Sequence, residues 1–270
     1  MICRTGFAGA LFLLGAATMF AAETAPLPQE QLAKAIKTDS LTIPTPGELF
    51  AALEKPGKID WPGQYRTPIP VSYRNRAQIA LNLGGLIADG FIAVEAQDSQ
   101  QVKNIGTDII KLAKALGVSE NVLSRGNSIN EFAENSEWDA LQEELEATQN
   151  EVKNSMKSHS DQDLVILVSL GGWIRGTQVV SASIIKNYEE RSAKVLRQPA
   201  VVSFIHSKMN EIAPDLRNEP LVKTVGDQLP ALEKLVSFQP NKAPTLEEVK
   251  KVNQTVSKLI EEIQKKVETK

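Results

Sequence analysis

Apolar residues recur at intervals of three and four through most of the chain from Tyr73 onward, the spacing that places side chains on one face of an α-helix. The clearest such stripes are Val102, Ile105, Ile109, Leu112 and Leu116, and then Val249, Val252, Val256, Leu259 and Ile263. No stretch alternates cleanly between apolar and polar residues as a half-buried strand does. Residues 164–168 have the composition of a buried strand, but their apolar continuation favours a helix. The pattern therefore predicts an all-α fold, a multi-helix bundle.

Capping residues divide this pattern into helices. Asp98 is placed to begin one helix, and Gly117 is placed to end it as a glycine C-cap. Ser119 begins the next helix, which we expect Gly126 to break or bend because glycine is unfavourable in a helix interior. Ser136 precedes a further amphipathic helix with a strongly acidic outer face, which is typical of a solvated surface.

Two of the predicted helices are unusually long and apolar, one over residues 73–97 and one over residues 160–197. Pro199 ends the second and begins another helix, since proline is favoured in the first turn. Pro230 lies inside a later apolar stripe and is expected to interrupt or bend that helix. The C-terminal amphipathic helix starts after Thr245, and its stripe is too short for a stable coiled coil, so we expect it to dock on its own bundle.

The two long helices share a short phrase, Leu83-Gly84-Gly85-Leu86-Ile87 in the first and Leu170-Gly171-Gly172-Trp173-Ile174 in the second. A glycine in a helix interior costs about 1 kcal/mol relative to alanine. Two glycine pairs in matching contexts therefore predict that two helices approach each other closely at this point. The phrase fits a duplicated helical hairpin, and it fits independent use of glycine for close packing.

Each long helix carries one charge within its apolar stretch, Asp89 in the first and Arg175 in the second. A charge among buried neighbours is costly unless it is paired. We therefore predict that Asp89 and Arg175 meet across a crossing where the glycine pairs remove side-chain bulk. The alternative is that one or both of them face water.

The same region provides the candidate ligand-binding residues Asn82, Asp89, Arg175 and Gln178, which we call the polar seam. They fall on stripes of small and polar residues along otherwise apolar helices, and bundle sites are built from such inward-facing side chains. In the functional interpretation a small ligand occupies the seam. In the structural interpretation these residues only complete the packing.

Residues 23–70 are rich in proline, with prolines at positions 26, 28, 44, 46, 56, 62, 68 and 70. This density excludes long helices and central strands. Thr45 and Pro46 form an N-cap signal for one short helix that ends near Lys55. Trp61 and other large side chains favour a strap across a core over a loosely ordered linker.

The first residues have the pattern of a secretory signal peptide. Arg4 supplies a positive start, residues 7–20 are uncharged and apolar, and Ala21 is followed by a second alanine. A single spanning helix is the alternative, but the apolar stretch is shorter than the roughly 20 residues a span needs. The predicted organisation is a signal peptide over 1–22, a Pro-rich strap over 23–70, a helical bundle over 71–240 and a C-terminal amphipathic helix over 241–270.

Composition limits the chemistry. The 270 residues carry a formal net charge of −3, which argues against a nucleic-acid partner. Cys3 is the only cysteine and precedes the apolar signal region, so we expect neither a lipid-anchored cysteine nor a disulfide in the exported chain.

His159 and His206 lack metal-site spacing, and no phosphate-binding or nucleotide-binding fingerprint is present, so no metal and no cofactor is expected. The arginines at 66, 74 and 76 fit either an anion-binding group or solvated positions at a helix entry.

These features predict an exported, non-enzymatic envelope protein, most consistent with a bacterial periplasm, that binds an unknown protein or small ligand through its helical bundle. After signal cleavage we expect no stable membrane span. One alternative is a periplasmic hydrolase with a dispersed carboxylate site, because carboxylate pairs on its helices are numerous and none stands out. The other is an assembly or structural factor that uses the C-terminal helix as its partner surface.

Signal cleavage is directly testable in a bacterial host that expresses the full chain. We expect the periplasmic fraction to contain a protein whose N-terminus lies between Ala21 and Ala25, as read by intact mass spectrometry. Leu13→Arg breaks the apolar region and should leave the chain uncleaved in the cytoplasm, while Leu27→Arg should be exported normally. Uncleaved wild-type protein in the cytoplasm would contradict the prediction.

Overall fold

The computed structural model describes residues 43–54, 59–158 and 161–265, and every regular element in those ranges is helical. In chain order the helices are α1 (Pro46–Glu54), α2 (Arg76–Glu95), α3 (Ser99–Ala115), α4 (Glu120–Glu134), α5 (Trp138–Ser158), α6 (Gln162–Lys186), α7 (Glu190–Ala193), α8 (Pro199–Glu211), α9 (Pro214–Arg217), α10 (Pro220–Val236) and α11 (Leu246–Gln264). The predicted all-α multi-helix bundle is confirmed. The predicted signal peptide, residues 23–42 of the strap, and His159 lie outside the described residues.

Helices α2 and α6 cross at the centre of the fold with their backbones in contact. A Cβ atom added to Gly84 would lie 1.9 Å from the carbonyl oxygen of Val168, and one added to Gly171 would lie 2.0 Å from that of Leu81. Only glycine at both positions permits this approach. The glycine pairs therefore mark a close helix crossing, as predicted from the repeated phrase.

Burial of these two helices is nearly complete along their length. Both are long and apolar enough to cross a membrane, judged by length and composition alone. In the fold, 100% of the most apolar stretch of α2 and 83% of that of α6 is buried inside the protein. Burial of this kind is typical of core helices, so their composition follows from their central position.

Helices α3, α4 and α5 pack in succession beside α2. The predicted caps of α3 are present, since Asp98 accepts a hydrogen bond from the backbone N–H of Gln101, and Gly117 ends the helix at a φ of +79°. The expected break at Gly126 is wrong, because α4 runs unbroken through it. Gly126 instead makes room for Ile110 of α3, whose Cδ1 lies 2.8 Å from where a Cβ would be.

Two other expected boundaries differ from the structure. Helix α6 ends at Lys186 instead of near Arg197, because the chain turns away there and forms α7, which buries Ala193 on the core. Helix α10 continues through Pro230 without interruption. The proline ring sits on the exposed side, while Leu229 beside it is fully buried and keeps the helix docked.

Helix α11 docks on the bundle, as predicted. Thr45 and Thr245 each form a reciprocal capping box with the glutamate three residues later, which defines the starts of α1 and α11. The apolar stripe of α11 is buried against α6, α10 and α2. That face is covered by the protein's own helices, so it is not an exposed surface strip.

The described residues of the Pro-rich segment are packed on the core. The Phe50 and Trp61 rings lie 5.2 Å apart between centroids, and both side chains are buried. Helix α1 lies against α6, where a Cβ added to Gly176 would come within 2.9 Å of Leu49. The second glycine phrase and Gly176 therefore allow two elements, α2 and α1, to approach the same helix.

The glycine crossing leads to a stability prediction. Gly84→Ala places a methyl group against the backbone of α6, which cannot move aside, so we expect a loss of about 3 kcal/mol in unfolding free energy. Gly90→Ala is the control in the same helix, because its Cβ would meet side chains only at 3.7 Å and beyond, and stability should hold or rise by about 1 kcal/mol. Urea denaturation measures both. Equal midpoints for the two variants would refute the close crossing.

Candidate functional site

The predicted pair between the two long helices exists, and a third residue joins it. Asp89 Oδ1 accepts a hydrogen bond from Arg175 Nε at 2.8 Å, and Oδ2 accepts one from Arg66 Nε at 2.7 Å. The side chains of Arg175 and Asp89 are 5% and 10% exposed. Arg66 comes from the Pro-rich segment, so its expected role as a solvated or anion-binding residue is replaced by an ion pair with a buried carboxylate.

Arg175 connects four parts of the fold. Besides Asp89, its guanidinium donates to Gln178 Oε1 and to the backbone oxygen of Gln64, both at 2.6 Å. Gln178 in turn donates to Ser257 Oγ on α11 at 2.9 Å. Burial lowers the pKa of Arg175, while the adjacent Asp89 carboxylate opposes that shift. The guanidinium thus ties α6 to α2, the strap and the C-terminal helix.

Asn82 lies apart from the other three seam residues. Its side-chain amide donates to the backbone oxygens of Gln78 and Ile263, and the Gln78 side chain donates to those of Ile263 and Lys265. These bonds satisfy carbonyl groups at the end of α11, which have no partners within that helix. The structure therefore brings Asp89, Arg175 and Gln178 together and uses Asn82 to fasten α11 to α2.

The charged groups of Asp89 and Arg175 are paired within the protein, and a cleft lies beside them. Both carboxylate oxygens of Asp89 are engaged, and a cleft of about 80 Å³ remains beside Arg66 and Asp89. Tyr65 borders this cleft and donates to Asp98, and its burial raises its pKa to about 12. Ligand binding by the polar seam stays a prediction, and its residues are held by partners inside the protein.

A second candidate site lies between α2, α3, α4 and α5. This space, which we call the α2–α5 cavity, has a volume of about 80 Å³. Its walls are mainly aliphatic, and the residues that line it are Ile87, Gly90, Val102, Gly106, Thr107, Ile109, Ile110, Ala113, Val122, Leu123, Gly126, Ile129, Asn130, Leu145, Thr148, Gln149 and Val152. A single ordered water needs roughly 10–15 Å³ of such space, so there is room for a small organic molecule.

Gln149 is the unusual member of this lining. The residue is 5% exposed, and its Oε1 is buried with no hydrogen-bond partner. Leaving a buried amide oxygen unpaired costs about 1–3 kcal/mol, so such groups in folded proteins call for an explanation. A side chain that lines an apolar cavity and has an unpaired acceptor is an arrangement that a ligand can complete.

The two threonines that line the cavity have hydrogen-bond partners within the protein. Arg125 of α4 donates to Thr148 Oγ1 at 3.2 Å and forms ion pairs with Glu144 and Glu151, which holds α4 against α5. Thr107 Oγ1 donates to the backbone oxygen of Lys103 at 2.9 Å. Gln149 therefore differs from the two threonines, whose hydroxyl groups have partners within the protein.

Sequence reasoning overlooked Gln149, although a signal was present. Leu145, Gln149, Val152 and Met156 follow one another at spacings of four, three and four, so Gln149 occupies a place in the buried stripe of α5. The pairing of Arg66 with Asp89 gave no comparable signal, because Arg66 lies in the Pro-rich segment and not within an apolar helix where an unpaired charge would be costly. Within the described ranges no group of three or more His, Cys, Asp and Glu side chains could hold a metal ion.

Comparisons with protein-family models, curated proteins and solved structures gave no match. Functional interpretation of this chain therefore depends on the two places just described, the polar seam with its adjoining cleft and the α2–α5 cavity. They differ in one respect that matters for binding. Both carboxylate oxygens of Asp89 accept hydrogen bonds from arginines, whereas Gln149, which lines the cavity, has an unpaired acceptor.

The buried ion network leads to a second stability prediction. Asp89→Asn leaves two guanidinium groups without their carboxylate, so we expect a loss of about 3–5 kcal/mol in unfolding free energy. Lys186→Ala removes an ion pair with Asp60, in which the lysine side chain is 60% exposed and the aspartate side chain 45% exposed. Because this pair lies at the surface, its loss should reduce the unfolding free energy by less than about 1 kcal/mol. Chemical denaturation compares the two variants. A similar small effect for both would show that the Asp89 pairs contribute little.

Proposed function

We propose that this chain is an exported, non-enzymatic binding protein whose helical bundle holds a small ligand in the α2–α5 cavity. The observation that carries the proposal is Gln149, which lines that cavity and has a buried, unpaired Oε1. Pockets that bind small molecules combine a mainly apolar lining with a few polar groups, and this cavity has that composition. Export is supported by the N-terminal sequence pattern alone.

The cavity supports binding better than the polar seam does. In the seam, Asp89 and Arg175 would have to exchange buried ion-pair contacts for contacts with a ligand, which is costly. In the α2–α5 cavity a ligand adds contacts without breaking any hydrogen bond of Gln149 Oε1. The free energy of binding there is therefore not reduced by the loss of an internal ion pair.

The lining of the cavity favours binding over catalysis. Among the described residues that line it, none has a titratable side chain. General acid–base catalysis needs such groups within hydrogen-bond reach of the substrate, and the hydroxyl groups of Thr107 and Thr148 would need one as a base to become nucleophiles. A retained ligand is consequently a better match to this cavity than a reacting substrate.

Binding in the cavity is testable with toluene, a small apolar probe. We expect toluene to raise the melting temperature of the protein and to shift the NMR amide signals of the residues of α3, α4 and α5 that line the cavity. Ala113→Leu adds bulk to a buried lining residue and should weaken toluene binding at least about tenfold by filling the space.

Ala147→Leu is the matched control, because Ala147 lies on α5 with an exposed side chain and does not line the cavity. It should bind toluene like the wild type. Circular dichroism establishes that each variant is folded before it is titrated. Absence of toluene binding to the wild type, or equal binding by Ala113→Leu, would refute the cavity as the ligand site.

A further inference from the structure

We infer that the ligand of the α2–α5 cavity is a neutral molecule with an apolar body and one hydrogen-bond donor, such as a hydroxyl group, which Gln149 Oε1 accepts. This inference rests on the proposed function and adds the chemical class of the ligand. It follows from three features of the cavity: the acceptor of Gln149, the absence of charged side chains from its described lining, and the hydrogen bonds already made by the neighbouring hydroxyl groups.

The unpaired oxygen of Gln149 determines which polar group the ligand must carry. An amide oxygen can only accept, so the ligand atom that completes Gln149 Oε1 must carry a hydrogen on oxygen or nitrogen. A ligand that lacks such a group leaves the oxygen buried and unpaired. Sites that are built to hydrogen-bond a hydroxyl group discriminate against analogues without one for this reason.

The walls specify a neutral, mostly apolar body. No lining residue among those described can neutralise a charged ligand, and transferring an unpaired charge into an apolar cavity is strongly unfavourable. Thr107 and Thr148 already share hydrogen bonds with Lys103 and Arg125. Among the buried polar side-chain atoms of the described lining, Gln149 Oε1 is the one without a hydrogen-bond partner, and one donor satisfies it.

The position of Gln149 strengthens the argument. It falls between Leu145 and Val152 in the buried stripe of α5, where an aliphatic residue would continue the stripe and leave no unpaired atom. The amide therefore lowers the stability of the empty protein compared with a methionine of similar length. A donor from a ligand removes that cost, so binding and stability are coupled at this residue.

The test compares phenol with toluene, which have similar shapes and differ by a hydroxyl in place of a methyl group. Dissociation constants of both probes are measured for the wild type, Gln149→Met and Gln142→Met. Gln142 is the matched control, because it lies on the same helix, is only partly buried and does not line the cavity. Comparing the affinity ratio of phenol to toluene between proteins cancels the difference in hydration of the two probes.

We expect the ratio of phenol to toluene affinity to fall about tenfold in Gln149→Met, the change that one hydrogen bond of ordinary net strength produces. The ratio should be unchanged in Gln142→Met, and the melting temperature of ligand-free Gln149→Met should be at or above that of the wild type. Equal ratios in the wild type and Gln149→Met, with both probes bound, would overturn the donor requirement and leave the cavity as a binding site. Failure of both probes to bind the wild type would overturn the proposed function and this inference with it.

Discussion

The rest of the structure depends on the contact between the backbones of α2 and α6. Gly84 and Gly171 each leave the space that the opposite helix fills with a carbonyl group, so the two axes approach more closely than side chains would allow. Close approach of two apolar helices excludes water from the crossing and makes both of them core elements. The other helices then pack on an assembly that is already defined in its geometry.

The close crossing also explains how three charged residues are accommodated near the centre. With bulk removed at the glycines, the side chains of Asp89 and Arg175 reach each other within hydrogen-bond distance. Their pairing compensates for the water that each loses, and Arg66 adds a second cation from the Pro-rich segment. We expect these pairs to specify the alignment of α2, α6 and the segment around Arg66, because a shifted alignment would leave a buried charge unpaired.

The two candidate sites represent opposite outcomes of packing. In the polar seam every contact of Asp89 and Arg175 described above is to a group of the protein, so the seam behaves as part of the core. In the α2–α5 cavity the helices leave a space, and Gln149 remains without a partner for its oxygen. Incomplete packing costs stability. A ligand that fills this space and pairs with that oxygen would offset both costs.

Local pattern was sufficient for the fold class and much of its detail. The sequence indicated the helical spacing, the helix starts at Thr45 and Thr245 and the C-cap at Gly117, since each depends on residues close in the chain. It also indicated the pair of lone charges, Asp89 and Arg175, because an unpaired buried charge is costly. Tertiary structure alone decided that α4 continues through Gly126 and that α10 continues through Pro230. It also decided which distant groups three polar side chains meet: Arg66 pairs with Asp89, Asn82 binds the end of α11, and Gln149 lines a cavity. These outcomes depend on which distant residue occupies the space next to each side chain, and that is determined by packing between helices rather than by any local preference.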